Sequence, residues 1–361
     1  MSAAWIDHAD ALPALPGREP VGLDTEFMRR NTFYPKLALV QAAHASERWL
    51  LDPLAYEPAA DVRALVASRA CVMHSASEDL EALMPLLGDA PLDLFDTQIA
   101  AALCGMGAGL SYQKLVATVL GIAIPKDETR SDWLQRPLTV SQLDYAEQDV
   151  AHLGALHEKL ASELRRHGRE AWHAEDCARL VQRARSNHTQ TDPQPQRGFA
   201  SAADWHPDAQ VRLKRALLWR DTTARKLDRP RPWVLDDAHA LSLAQQPPAT
   251  AQALFDRVKG LRALRGPQRA ELLDLLQMPS TPEELDALQP IAPAPKGETK
   301  HAIHAMRAVV QAAAEKLALP AGLLCPRRLL EEFAVTGIWP AALQGWRASV
   351  LEVELTPLLP G

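Results

Sequence analysis

Apolar and polar residues alternate in three short runs near the start of the chain. VGLDTEF (21–27), LALVQAA (37–43) and RWLLDPL (48–54) read as strands, separated by the turn-like stretches YPK and HASE. Connections this short join antiparallel neighbours, so the three runs predict a meander. The pattern then changes. ADVRALVAS predicts a helix, CVMHS a strand, SEDLEALMPLL an amphipathic helix, LDLFD a strand and TQIAAALCG a helix. Helical spacing continues to about residue 185. A mixed sheet with helices on its faces is therefore expected for residues 1–185.

Beyond that unit no convincing strand remains. Residues 186–204, SNHTQTDPQPQRGFASAAD, are polar and rich in Pro, Gln and Ser, and read as a linker. Residues 205–280 hold about five short helical segments, and QPIAPAPKGE (289–298) reads as a second linker. Residues 299–361 are helical again and faintly echo the preceding unit. An α/β domain followed by two small all-α domains is the expected organisation.

Charge sharpens this division. Residues 1–180 carry 16 Lys+Arg against 26 Asp+Glu, a net of −10, and residues 181–361 carry 23 against 19, a net of +4. Between 200 and 270 the count is 13 against 7. An acidic half that holds cations, joined to a locally basic half that meets a polyanion, fits this distribution; so does chance variation between domains. Cys71, Cys104, Cys177 and Cys325 are widely spaced, and none forms a CxxC pair, so neither a zinc site nor a disulfide framework is indicated. The opening residues include Asp7, His8 and Asp10 and lack an apolar signal-peptide core, and no run is long enough to span a membrane. A reduced, cytoplasmic protein without membrane contact is expected.

Candidate chemistry lies among the acids. On a strand, Asp24 and Glu26 project to one face with their Cα atoms about 7 Å apart. Such a pair suits shared divalent cations, although an edge strand with two solvated acids has the same pattern. Burying both without compensation would be costly. Asp79, in HSASEDLEAL, falls at the start of a helix after a strand, where a first-turn acid is favoured by the helix dipole alone. Tyr145 and Asp149, in LDYAEQDVAHL, lie one helical turn apart, as they would on any half-exposed helix. Asp96 reads as a helix N-cap and Asp52 as a strand end. His74 reads equally well as a site residue or a packed strand-end histidine. CGMGAGL lacks GxGxxG spacing and follows a helix, so it reads as a connector.

Taken together, Asp-x-Glu on a first strand, an Asp on a middle helix and Tyr-x-x-x-Asp on a late helix resemble the DEDD 3′→5′ exonucleases. Asp144, where the histidine subclass has its His, places the resemblance in the tyrosine subclass. LDTEFMRRNTFYPKLALVQ, HSASEDLEAL, LFDTQIAAALCGMGAGLSYQKLV and TRSDWLQRPLTVSQLDYAEQDVAHL look like segments of the ribonuclease D family, in order. LKRALLWRDTTARKLDRPRPWVLDDAHALSLAQQPP resembles the helicase-and-RNase-D C-terminal (HRDC) module, and 299–361 looks like a degenerate second copy.

The resemblance implies a ribonuclease H-like fold for residues 1–185. It also implies a site of Asp24, Glu26, Asp79 and Asp149 holding two divalent cations, Mg²⁺ or Mn²⁺, with Tyr145 orienting the attacking water. The implied activity is 3′→5′ exoribonucleolytic trimming of tRNA precursors and other small structured RNAs by a monomer, releasing nucleoside 5′-monophosphates. Phe27 would pack near the terminal base. Lys126 and Arg130 are candidate phosphate contacts or solvated loop charges. In the basic unit, Lys214, Arg215 and Arg225 are candidates for salt-sensitive RNA contact, whereas Trp219 and Trp233 read as core. A DNA-directed exonuclease of the same fold and a non-catalytic RNA-binding protein with a relict site are the rival readings.

Overall fold

The computed structural model describes residues 3–15, 17–124 and 131–360. Six strands form one sheet: β1 (Ala4–Ile6), β2 (Val21–Met28), β3 (Lys36–His44), β4 (Glu47–Leu51), β5 (Ala70–Met73) and β6 (Asp93–Asp96). Their order is β1-β4-β3-β2-β5-β6. The expected meander is present, with β2, β3 and β4 successively antiparallel, while β5 and β6 add in parallel. The three-residue strand β1, parallel to β4, extends the other edge.

Among the described residues, seven helices belong to this unit: α1 (Ala59–Val66), α2 (Ser77–Leu87), α3 (Thr97–Leu103), α4 (Tyr112–Leu120), α5 (Val140–Ala151), α6 (Leu153–His167) and α7 (Glu170–Thr189). The alternation of β2 sorts its side chains between two layers. Val21 and Leu23 join a buried cluster with Val62 and Leu65 of α1, Leu80 and Leu83 of α2, and Cys177 of α7. Gly22, Asp24 and Glu26 face the other way, toward α5 and α6. A Cβ at Gly22 would come within 3.0 Å of the Leu153 side chain, so glycine here lets α6 lie close against β2, two residues before Asp24. Between Glu26 and Phe27 the pairing with β3 shifts register, and this bulge bends the strand as it leaves the site.

The helical remainder begins with α8 (Pro207–Leu227), α9 (Arg231–Val234), α10 (Asp237–Gln245), α11 (Ala251–Arg257), α12 (Gly266–Gln277) and α13 (Pro282–Asp286). It ends with α14 (Glu298–Leu317), α15 (Ala321–Leu324), α16 (Arg327–Thr336) and α17 (Trp346–Leu355). The stretch expected as a first linker is ordered: α7 runs to Thr189, and two 3₁₀ turns follow, with Gln196 and Ala202 fully buried.

The first helical unit has its own core around Leu213, Leu243, Leu254 and Leu272. Residues 299–361 do not. Met306, Val310, Phe333 and Leu351 share one continuous core with Leu103, Leu115, Leu156 and Leu160 of the α/β unit. Trp346 stacks on Trp172 at 4.5 Å, and Arg347 pairs with Asp176, both side chains nearly inaccessible.

Candidate active site

β2, α5 and the start of α2 converge beside the bulge. Asp24, Glu26 and Asp149 each present a carboxylate oxygen, and these oxygens lie within 4.8 Å of one another. Asp79 stands next to the trio rather than within it. Its Oδ1 accepts a 2.6 Å hydrogen bond from the Thr25 hydroxyl, so the residue between the two strand acids tethers the third acid. Tyr145, one turn before Asp149 on α5, packs against Trp133, and its hydroxyl favours the ionised form of the Asp149 carboxylate.

Local sequence explains why α5 holds this position. Thr139 caps its first turn in a reciprocal capping box with Gln142. The preceding loop is anchored where Arg136 makes paired hydrogen bonds, 2.6 and 2.8 Å, to Asp52. At the other end of α5, the Tyr112 hydroxyl accepts from His152 N–H and donates to Gln148 carbonyl, bridging the break between α5 and α6 directly around Asp149.

Burial and mutual repulsion keep this cluster from ionising fully. Asp24 is held well above the carboxylate range, first by burial and then by Asp79, Asp149 and Glu26. Burial, with Asp149 and Asp79 behind it, pushes Glu26 up to about 9. Burial lifts Asp149 to about 7 against the opposing effect of the Tyr145 hydroxyl, and lifts Asp79 to about 6 against the Thr25 hydroxyl. Among the described residues no Lys or Arg forms an ion pair with any of the four. Four acids sharing a half-buried site, with no cationic side chain of the described residues paired to them, are suited to hard divalent cations.

A further observation fits such an ion. Gln41 lies opposite Asp24 in the β2–β3 ladder and is fully buried, and its amide has no hydrogen-bond partner among the described residues. Such a group is costly unless something beside Asp24 satisfies it.

Other candidates separate from the cluster. Phe27 follows Glu26 and is half-buried. Asp96 is the N-cap of α3, as its position predicts. His74 is a packing residue: its ring nitrogens meet Thr97 Oγ1 at 2.9 Å and the Leu110 carbonyl at 3.0 Å. Lys126 and Arg130 lie outside the described residues. Lys214 is half-buried on α8. Arg215 is engaged within the protein, where it pairs with Glu284 and donates to the carbonyls of Met278 and Pro279. Arg225 binds Asp221 and the carbonyls of Asn187, His188 and Gln190. Charge density alone suggested RNA contact for these two arginines; their partners instead give them structural work. Thr25, Tyr112 and Gln41 were not singled out from sequence. For Thr25 the signal was present, as the residue whose alternation turns it toward α2.

Sheet order and clustered acids define a class, and comparison with known proteins agrees. Residues 3–165 match the 3′-5′ exonuclease family, and residues 209–264 match the HRDC domain. The chain belongs to the ribonuclease D family. It is 42% identical to ribonuclease D of Xanthomonas oryzae pv. oryzae over 98% of both chains, and 36% identical to that of Pseudomonas paraeruginosa over 91% of this chain and 88% of the relative. The crystal structure of Escherichia coli RNase D, described as an exoribonuclease involved in structured RNA processing, superposes with a TM-score of 0.83 at 26% identity, covering 99% of each chain. The protein is a 3′→5′ exoribonuclease. No helix among the described residues is long and apolar enough to cross a membrane.

Proposed function

We propose that this exoribonuclease trims the 3′ ends of tRNA precursors and other small structured RNAs, acting as a cytoplasmic monomer and releasing nucleoside 5′-monophosphates. The observation that carries the mechanism is the carboxylate cluster, three oxygens within 4.8 Å with Asp79 beside them and, among the described residues, no cationic side chain paired to any of them. Asp24, Glu26, Asp79 and Asp149 would hold two divalent cations, Mg²⁺ or Mn²⁺. Such a pair lowers the pKa of bound water and stabilises the charge that develops on the attacked phosphate.

The chain's own residues supply the rest. The Tyr145 hydroxyl is pushed above its ordinary range by burial and the neighbouring acids, so it stays protonated. It therefore serves as a hydrogen-bond donor that orients the attacking water, not as a base. Phe27, beside Glu26, packs against the terminal base, and Lys214 contributes to phosphate attraction, whereas Arg215 and Arg225 hold the fold. Residues 205–280 and 299–361 are two copies of one helical module. Both begin with a long helix (α8, α14) ended by a left-handed residue, followed by a proline and a four-residue helix (α9, α15).

The test is a time course on a 5′-labelled tRNA precursor with an unstructured 3′ tail, with Mg²⁺, with EDTA and with Asp149→Asn, beside a matched DNA strand. A Mg²⁺-dependent ladder from the RNA 3′ end, absent in the variant, supports the proposal. Faster loss of the DNA would redirect the activity to DNA. Retained RNA binding with no shortening would make the site relict.

A further inference from the structure

The chain that leaves β2 past Glu26 is held by the first helical module. Asp228 ends α8 in the left-handed region, at φ 46°. Its Oδ1 accepts two successive backbone amides of the β2–β3 loop, Phe33 N–H at 2.9 Å and Tyr34 N–H at 3.1 Å. Arg229 donates to the Asn31 carbonyl at 3.0 Å. The Phe33 ring is buried with Ala224, Val234 and Ala263 of the module, and the guanidinium groups of Arg225 and Arg231 lie 4.8 and 4.6 Å from its centroid. Toward the site, Arg29 donates to the Phe33 carbonyl and pairs at 2.7 Å with Glu81, two residues after Asp79 on α2. One short loop thus connects the strand of Asp24 and Glu26, the helix of Asp79 and the end of α8.

The second copy shows what the helix end itself requires. α14 ends at Ala318 with φ 51°, and the amides of Ala318 and Asp228 close their helices in the same way, onto Ala314 and Glu315 and onto Ala224 and Arg225 respectively. A left-handed cap in this module needs no carboxylate. At Asp228 the carboxylate serves the loop.

We infer that Asp228 is a positioning residue: through the amides of Phe33 and Tyr34, the docked helical module sets the geometry of the carboxylate strand. This rests on the reading of Asp24, Glu26, Asp79 and Asp149 as the metal-binding active site. A loop that loses these bonds lets β2 relax at its bulge, and misplacement of about 1 Å at a reacting centre costs on the order of a hundredfold in rate.

The experiment compares Asp228→Gly with Asp228→Asn in the full-length protein. Glycine keeps the left-handed cap without a Cβ penalty and removes the acceptor; asparagine tolerates the same conformation and keeps an acceptor oxygen. Leu243→Ala, in the module's own core, controls for loss of stability. Readouts are kcat and KM on the tailed RNA, and Mn²⁺ affinity from free-ion EPR without RNA. The expected result for D228G is a kcat loss of about tenfold or more with a smaller change in KM, and weaker Mn²⁺ binding. D228N returns both to near the wild-type values, and L243A lowers the melting temperature with kcat retained. Unchanged kcat and Mn²⁺ affinity in D228G would overturn the inference. So would D228N being as impaired as D228G, or L243A losing kcat equally. If wild-type protein binds Mn²⁺ but cleaves no RNA, the functional reading fails while the Mn²⁺ comparison still decides the coupling.

Discussion

Replacing Glu26 by Gln should stabilise the metal-free protein at neutral pH and weaken it when metal is supplied. Glu26 has its pKa raised from 4.5 to about 9 in the folded protein. Between those values the folded carboxyl holds a proton that the unfolded chain has released. The folded state then binds more protons than the unfolded one, so stability falls as pH rises through this window. At pH 7 the interval above 4.5, at 1.36 kcal/mol per unit, corresponds to roughly 3 kcal/mol. Gln at this position avoids that cost, so Glu26→Gln in EDTA should melt higher by roughly 6–12 °C at pH 7. The advantage should vanish below pH 4.5, where both states of the wild type are protonated. Mg²⁺ at a thousand times its Kd reverses the order, because it adds about 4.1 kcal/mol to the chain that binds it, more than the advantage of the variant. Thermal unfolding by circular dichroism at several pH values, with EDTA and with Mg²⁺, reads all three effects. A variant no more stable than wild type at pH 7 in EDTA, or an advantage that grows on acidification, would refute the reasoning.

Other consequences can be checked separately. Tyr145→Phe should lower kcat by about a hundredfold with a smaller change in KM; an unchanged kcat would count against the donor role. Arg215→Ala should cost the helical module roughly 2 kcal/mol and leave the salt dependence of RNA binding unchanged, because its partners are Glu284 and two carbonyls. Alanine at both exposed Arg262 and Arg265 should instead reduce the log–log salt slope by about 1.4, as measured by fluorescence anisotropy. Truncation after residue 290 should abolish cooperative melting of the α/β unit, which shares its core with Met306, Phe333 and Leu351; a fragment that melts sharply near the wild-type temperature would contradict this.

Much of the fold and the acid cluster could be read from the chain, because both depend on local periodicity. Alternation placed β2, β3 and β4, and the 3.6-residue pattern placed α2 with its observed bounds. The Asp-x-Glu and Tyr-x-x-x-Asp spacings each define a shared face within one element, and the structure brings Asp24, Glu26, Tyr145 and Asp149 together. What escaped was set by partners distant in sequence. β1 is three residues long and exists through pairing with β4. The basic run 214–231 looked like a polyanion surface because Glu284, Asp237 and the loop carbonyls that occupy Arg215, Arg220 and Arg225 lie elsewhere in the chain. Polar composition marked 186–204 as a linker, yet Gln196 and Ala202 are buried there. The helical character of residues 299–361 was visible, but not that their apolar residues complete the core of the first unit.

The central claim is that these acids form a two-cation site. Isothermal titration of Mn²⁺ into metal-free protein at pH 8, with proton release followed in two buffers of different ionisation enthalpy, tests it most directly. Two equivalents bound with net release of protons, and loss of binding in Asp24→Asn, is the predicted result. Binding of a single ion unaffected by that substitution, or uptake without proton release, would contradict it.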